Sequence, residues 1–108
     1  MNMDELKSFE GHKRVLLLQS QDPVHLNNQR ELFDRSPKEY QSRDLVICSG
    51  LEDDILEKYG MYSEFDLILL GKDAGIKYTA HGVSDPKKIY AIIDRLPERQ
   101  LDSSSSPF

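Results

Sequence analysis

Three runs of four apolar residues mark out the chain: Val15-Leu16-Leu17-Leu18, Leu45-Val46-Ile47-Cys48 and Leu67-Ile68-Leu69-Leu70. None alternates with polar residues, so each predicts a strand that needs cover on both faces, as in a sheet with helices on either side. The third run passes through Gly71-Lys72-Asp73-Ala74-Gly75 into a stretch that does alternate. There Ile76, Tyr78 and Ala80 share one face, and Lys77, Thr79 and His81 the other. This predicts a β-hairpin with a buried inner strand and a more exposed outer one. Gly71 or Gly75 would supply the positive φ that a short hairpin loop needs.

Between the runs the pattern turns helical. Asp22-Pro23 is a start signal, because the carboxylate can accept an orphan N–H and proline at N1 has none to waste. The helix is expected from about Pro23 to Arg35, with Leu26, Leu32 and Phe33 inward. Ser36-Pro37 breaks it, and a separate turn over Lys38 to Ser42 places Tyr40 on the core. Ser49-Gly50-Leu51-Glu52 has capping-box spacing, followed by a narrow stripe of Leu51, Ile55 and Tyr59, with Gly60 as the C-terminal stop. Ser84-Asp85-Pro86 repeats the start signal ahead of Ile89, Ile92, Ile93 and Leu96, and Pro97 ends that helix. The expected order is β-α-β-α-β-β-α, an α/β fold with a mixed central sheet covered by helices on both faces. That is the order of the thioredoxin-like core. A flavodoxin-like receiver would need a third parallel strand where the hairpin stands.

A chain of 108 residues is one domain. The expected organisation is a lead-in over 1–12, the domain over 13–100 and a serine-rich disordered tail over 101–108. A net charge of −5 disfavours non-specific binding to nucleic acid or anionic membrane. The longest apolar runs fall far short of a membrane span, and the N-terminus lacks the basic-then-apolar order of a signal peptide. A soluble protein is expected, cytoplasmic as the sequence stands and exported if a leader precedes it. One cysteine, Cys48, excludes an internal disulfide and any CxxC motif.

Several stretches resemble a known family: Arg14-Val15-Leu16-Leu17, Gln29, Arg43-Asp44-Leu45-Val46, Gly71-Lys72-Asp73-Ala74-Gly75-Ile76-Lys77 and Ile93-Asp94-Arg95-Leu96-Pro97-Glu98-Arg99. Together they are similar to the DUDES group, thioredoxin-like domains of unknown function found alone in bacteria and within secreted animal proteins that carry sushi repeats or coiled coils. The resemblance runs from about Lys13 to Gln100, is specific in the hairpin and the closing stretch, and is loose between Gly50 and Ser63. It implies a thioredoxin-like fold related to peroxiredoxins, with no settled activity.

Redox catalysis on such a fold needs a thiolate at the start of the first crossover helix, where the helix dipole and free N–H groups lower the thiol pKa. Gln19-Ser20-Gln21-Asp22 occupies that place, and Glu64-Phe65-Asp66 stands where redox members carry a cis-proline. Cys48, at the end of an apolar strand, reads as a small buried hydrophobe. Gly71-Lys72 lacks the spacing of a phosphate-binding loop. His12, His25 and His81 sit on separate elements, so no metal site is expected. Ser20, Asp22 and His25 are better explained by helix capping than as a triad. No catalytic residue and no cofactor are therefore expected.

The preferred expectation is a non-catalytic binding or protein-interaction module; the alternative is a redox-associated or other enzyme using the cysteine-less site. Ligands of open α/β sheets collect beyond the carboxyl ends of the strands. An unknown protein or small polar ligand is thus expected to contact Gln19, Ser20, Gln21 and Asp22, the last mainly holding the helix start. Arg43, Asp44, Lys72, Asp73 and Arg99 form a second, charged loop set, expected to be an ion-pair network.

Overall fold

The computed structural model describes residues 1–97; Arg99 and the expected tail lie outside the described residues. The elements are α1 (Met3–Ser8), β1 (Arg14–Ser20), α2 (Pro23–Asp34), α3 (Pro37–Gln41), β2 (Leu45–Cys48), α4 (Asp53–Tyr59), β3 (Phe65–Leu70), β4 (Ile76–Ala80) and α5 (Pro86–Arg95). The four strands form one mixed sheet in the order β2-β1-β3-β4. β1 and β2 are parallel, and β3 runs antiparallel to both β1 and β4.

Strand alternation distributes the apolar runs between two layers. Leu16, Leu18, Leu67 and Leu69 pack with Phe33, Leu45, Ile89 and Ile93 beneath α2 and α5, with Tyr40 of α3 against them. Val15, Leu17, Ile68 and Leu70 pack with Leu6, Cys48, Ile55 and Met61 beneath α1 and α4. Each fully buried leucine or isoleucine contributes about 1.5–3 kcal/mol, so the two inner strands anchor both layers. The opening residues join the second layer through Leu6, with Met1, Met3 and Phe9 packed around it. Among the described residues no helix is long and apolar enough to cross a membrane.

Five local expectations are corrected. β2 is an edge strand with Val46 and Ile47 half-buried, because helices can cover its faces while its outer side lacks a neighbour. In the hairpin neither glycine takes positive φ. Ala74 does, at 66°, while Gly71 and Gly75 close the loop by the bond from Gly71 N to Gly75 O, 2.9 Å. A bulge pairs Leu69 with Tyr78 but Leu70 with Ile76. The extra residue moves Ile76 off the face of Tyr78 and leaves it 54% exposed.

The capping box does not form. Gly50 turns with φ 63° and α4 starts later, with Glu52 as an N-cap that makes no side-chain bond. The chain's own start takes up that turn instead: the Met1 ammonium donates to Gly50 O and Glu52 N donates to Met1 O, both at 2.8 Å. In α2, Leu26 and Leu32 are only half-buried, while Gln29 is fully buried. Its amide brackets Ser84, accepting from the backbone N at 2.7 Å and donating to the carbonyl at 2.9 Å, which fixes the start of α5 against the second half of α2.

Candidate functional site

The parallel pairing of Leu17 with Cys48 brings Gln19–Asp22 and Ser49-Gly50 out at the same end of the sheet. Asp22 holds the helix start as expected: its Oδ1 accepts from Val24 N at 2.9 Å, with Pro23 in the first turn. The three residues before it point into the loop between α4 and β3. Gln19 Nε2 donates to Ser63 O at 2.6 Å, Ser20 Oγ to Glu64 O at 2.8 Å, and Gln21 Nε2 to Tyr62 O at 3.3 Å. Ser20 Oγ also accepts from Asp22 N, and His25 approaches Asp22 at 3.7 Å.

Beneath them lies Asp66, which is not among the residues expected at this site. It is 4% exposed, and its carboxylate is enclosed by donors. Gln19 Nε2 and Ser63 N reach Oδ2 at 2.7 and 3.0 Å, and His81 Nδ1 lies 3.0 Å from Oδ1. A buried carboxylate persists only when partnered in this way. The available signal was its position, a lone acid flanked by Phe65 and Leu67 in an interior strand. His81 is the exposed end of this arrangement, with 73% of its side chain open to solvent. Beside it is a small cavity of about 200 Å³ lined by His25, Glu64, Phe65, His81, Gly82 and Val83. Of the four large hydrophobic residues exposed among the described residues, three belong to these same segments: Val24, Tyr62 and Val83.

The charged set gathers at the opposite end but does not act as one unit. Lys72 Nζ pairs with Asp44 Oδ2 at 3.0 Å, and Lys13 approaches the other oxygen at 3.7 Å, so the hairpin tip is tied to the start of β2. Arg43 turns towards α3 and α5. It donates from Nε and Nη2 to Asp94 and from Nη1 to Glu39, and its guanidinium stacks 4.5 Å over the Tyr90 ring. The hydrogen bond to Asp94 is the largest cause holding the Arg43 pKa above its ordinary value. Asp73 bonds within its own hairpin, to Lys77 Nζ and Gly75 N, both at 2.9 Å; Lys77 is the main cause holding its carboxyl below the usual range. Arg99 lies outside the described residues.

Cys48 is buried at the end of β2, and burial pushes its thiol pKa up, with Arg30 pulling weakly the other way. This is the reverse of the environment that makes a thiolate nucleophile. Among the described residues there is no cis peptide bond, and no group of three or more His, Cys, Asp or Glu side chains is placed to hold a metal.

No family model and no curated protein matches the chain. Solved structures do. The mitochondrial 2-Cys peroxiredoxin of Plasmodium falciparum superposes with a TM-score of 0.65 at 15% identity, covering 94% of this chain and 84% of that one. Thioredoxin peroxidase I of Plasmodium yoelii gives 0.63 at 15% identity, with 94% and 83% covered. The reduced 2-Cys peroxiredoxin of Plasmodium vivax gives 0.67 at 14% identity, with 91% and 72% covered. At such identities the likeness is one of fold, and the chain has the thioredoxin-like, peroxiredoxin-related fold.

Proposed function

We propose that this chain is a non-redox thioredoxin-fold module that binds a protein partner at the carboxyl end of β1, through Gln19, Ser20 and Gln21 and the surface around them. The observation that carries this reading is the concentration of exposed Val24, Tyr62 and Val83 around a polar floor whose donors are already engaged. A floor so engaged has little left to grip a small polar molecule. The adjoining cavity of about 200 Å³ is also below the roughly 300–1,000 Å³ of ordinary ligand pockets. Exposed aromatic and aliphatic side chains around a rigid polar centre suit a protein contact instead. The likeness of the hairpin and of the closing stretch to the DUDES group supports the same accessory role.

The test is amide chemical-shift mapping of the labelled chain with cell or secreted extract. Changes should centre on Val24, Tyr62, His81 and Val83 and be lost in Tyr62→Ser; changes confined to Lys72 and Asp73 would refute the placement. The redox alternative makes its own demand, fast alkylation of Cys48 near neutral pH. Burial of the thiol supports labelling that is slow until the chain is unfolded.

A further inference from the structure

The largest cavity among those described lies away from the β1 end, in the groove between α5 and the end of α2 with α3. It measures about 600 Å³, within the range of small-molecule sites. Tyr90 is the one buried residue among those that line it, 8% exposed, and its hydroxyl has no hydrogen-bond partner. A buried donor left unsatisfied is costly, so it marks a place where an acceptor is missing. The ring itself is well held, edge-on to Phe33 at 6.0 Å between centroids and beneath the Arg43 guanidinium.

The other lining groups fall into two kinds. The carboxylates are committed: Glu39 and Asp94 to Arg43, and Asp85 to the backbone N of Lys87 as the cap of α5. The side chains of Arg35 and Lys87 make no hydrogen bond or ion pair among the described residues. What the groove leaves unpartnered is therefore two cations, the Ser36 hydroxyl and a buried phenol, all able to donate, beside the apolar surface of Leu32, Pro86 and Ala91. Burial pushes the Tyr90 phenol pKa up, which keeps it a donor.

We propose that this groove binds a small organic carboxylate with an apolar body, the carboxylate facing Arg35 and Lys87 and an oxygen accepting from Tyr90. The site is separate from the β1 end, and neither depends on the other.

Benzoate, titrated into the full chain and followed by amide shifts, is the probe, with benzyl alcohol as its uncharged counterpart. Benzoate should move the amides of Leu32 and Ala91. Tyr90→Phe, which removes only the unpartnered oxygen, should weaken benzoate by about tenfold while the chain stays folded, and Lys87→Gln or Arg35→Gln should do the same. The proposal is overturned if benzoate leaves the groove amides unmoved, if Tyr90→Phe binds benzoate as tightly as the original chain, or if benzyl alcohol binds equally well.

Discussion

The two ends of the sheet handle polar side chains in opposite ways. At the carboxyl end of β1, Gln19, Ser63 and His81 close around the buried carboxylate of Asp66, and Ser20 and Gln21 bond to backbone carbonyls of the neighbouring loop. At the hairpin end, charges meet charges near the surface: the Asp44 and Asp73 side chains are 42% and 60% exposed in their pairs with Lys72 and Lys77. Exposed pairs are worth about 0–1 kcal/mol. A buried group that loses its partner costs several times that. The end richest in charged residues is therefore not the end where charge matters most to the fold.

The largest effect should come from emptying the buried position. Asp66→Ala strands the Ser63 N–H without an acceptor and leaves Gln19 Nε2 only its bond to Ser63 O, and is expected to lose about 2–4 kcal/mol in urea unfolding. Asp66→Asn keeps one acceptor and should lose less. If Asp66→Ala and Lys72→Ala unfold at the same urea concentration, the contrast between the ends fails.

Arg43 falls between the extremes, because its side chain is only 15% exposed. Arg43→Lys keeps the charge but gives up the paired bonds to Asp94 and the flat stacking on Tyr90, and should cost about 1–2 kcal/mol. Asp44→Asn, which weakens the more exposed pair with Lys72, should cost about 0–1 kcal/mol. Thermal unfolding of the two variants side by side ranks them, and the reverse order would show that exposure is the wrong measure at this end.

The order of strands and helices was legible because β1 and β3 are unbroken apolar runs, and because Asp22-Pro23 and Asp85-Pro86 announce their helices through local chemistry. β2 carries an equally apolar run, yet it lies at an edge: a run of this kind reports cover on the faces and says nothing of lateral neighbours. Ile76 shows a second limit, since strict alternation in sequence cannot reveal a bulge that shifts one pairing. Gln19 to Asp22 could be located because the parallel crossover fixes where a strand exits. The hydrogen-bond partners of Gln19, Ser20 and Gln21 come from a loop more than forty positions away, at Tyr62 to Glu64. Gln29 and Asp66 looked like ordinary polar positions for the same reason: what makes each buried and bonded lies on another element, Ser84 for one and His81 and Gln19 for the other.

The smallest expected effect tests the electrostatics of the hairpin end alone. Lys77, and then the Gly75 N–H, hold the Asp73 carboxyl below the usual range, so the folded form favours the ionised group. Its contribution is therefore fully present above the ordinary carboxylate pKa and is lost as pH falls through the lowered folded value. Asp73→Asn preserves an oxygen for Gly75 N and removes the charge together with the acceptor that faces Lys77 Nζ. Because the side chain is 60% exposed, solvent screening limits the difference from the original chain to about 0.5 kcal/mol near neutral pH. That difference should shrink in high salt and vanish in acid below the lowered pKa. A gap that persists unchanged in acid would mean that Asp73 acts through turn geometry, and the hairpin end would then owe less to charge than its composition suggests.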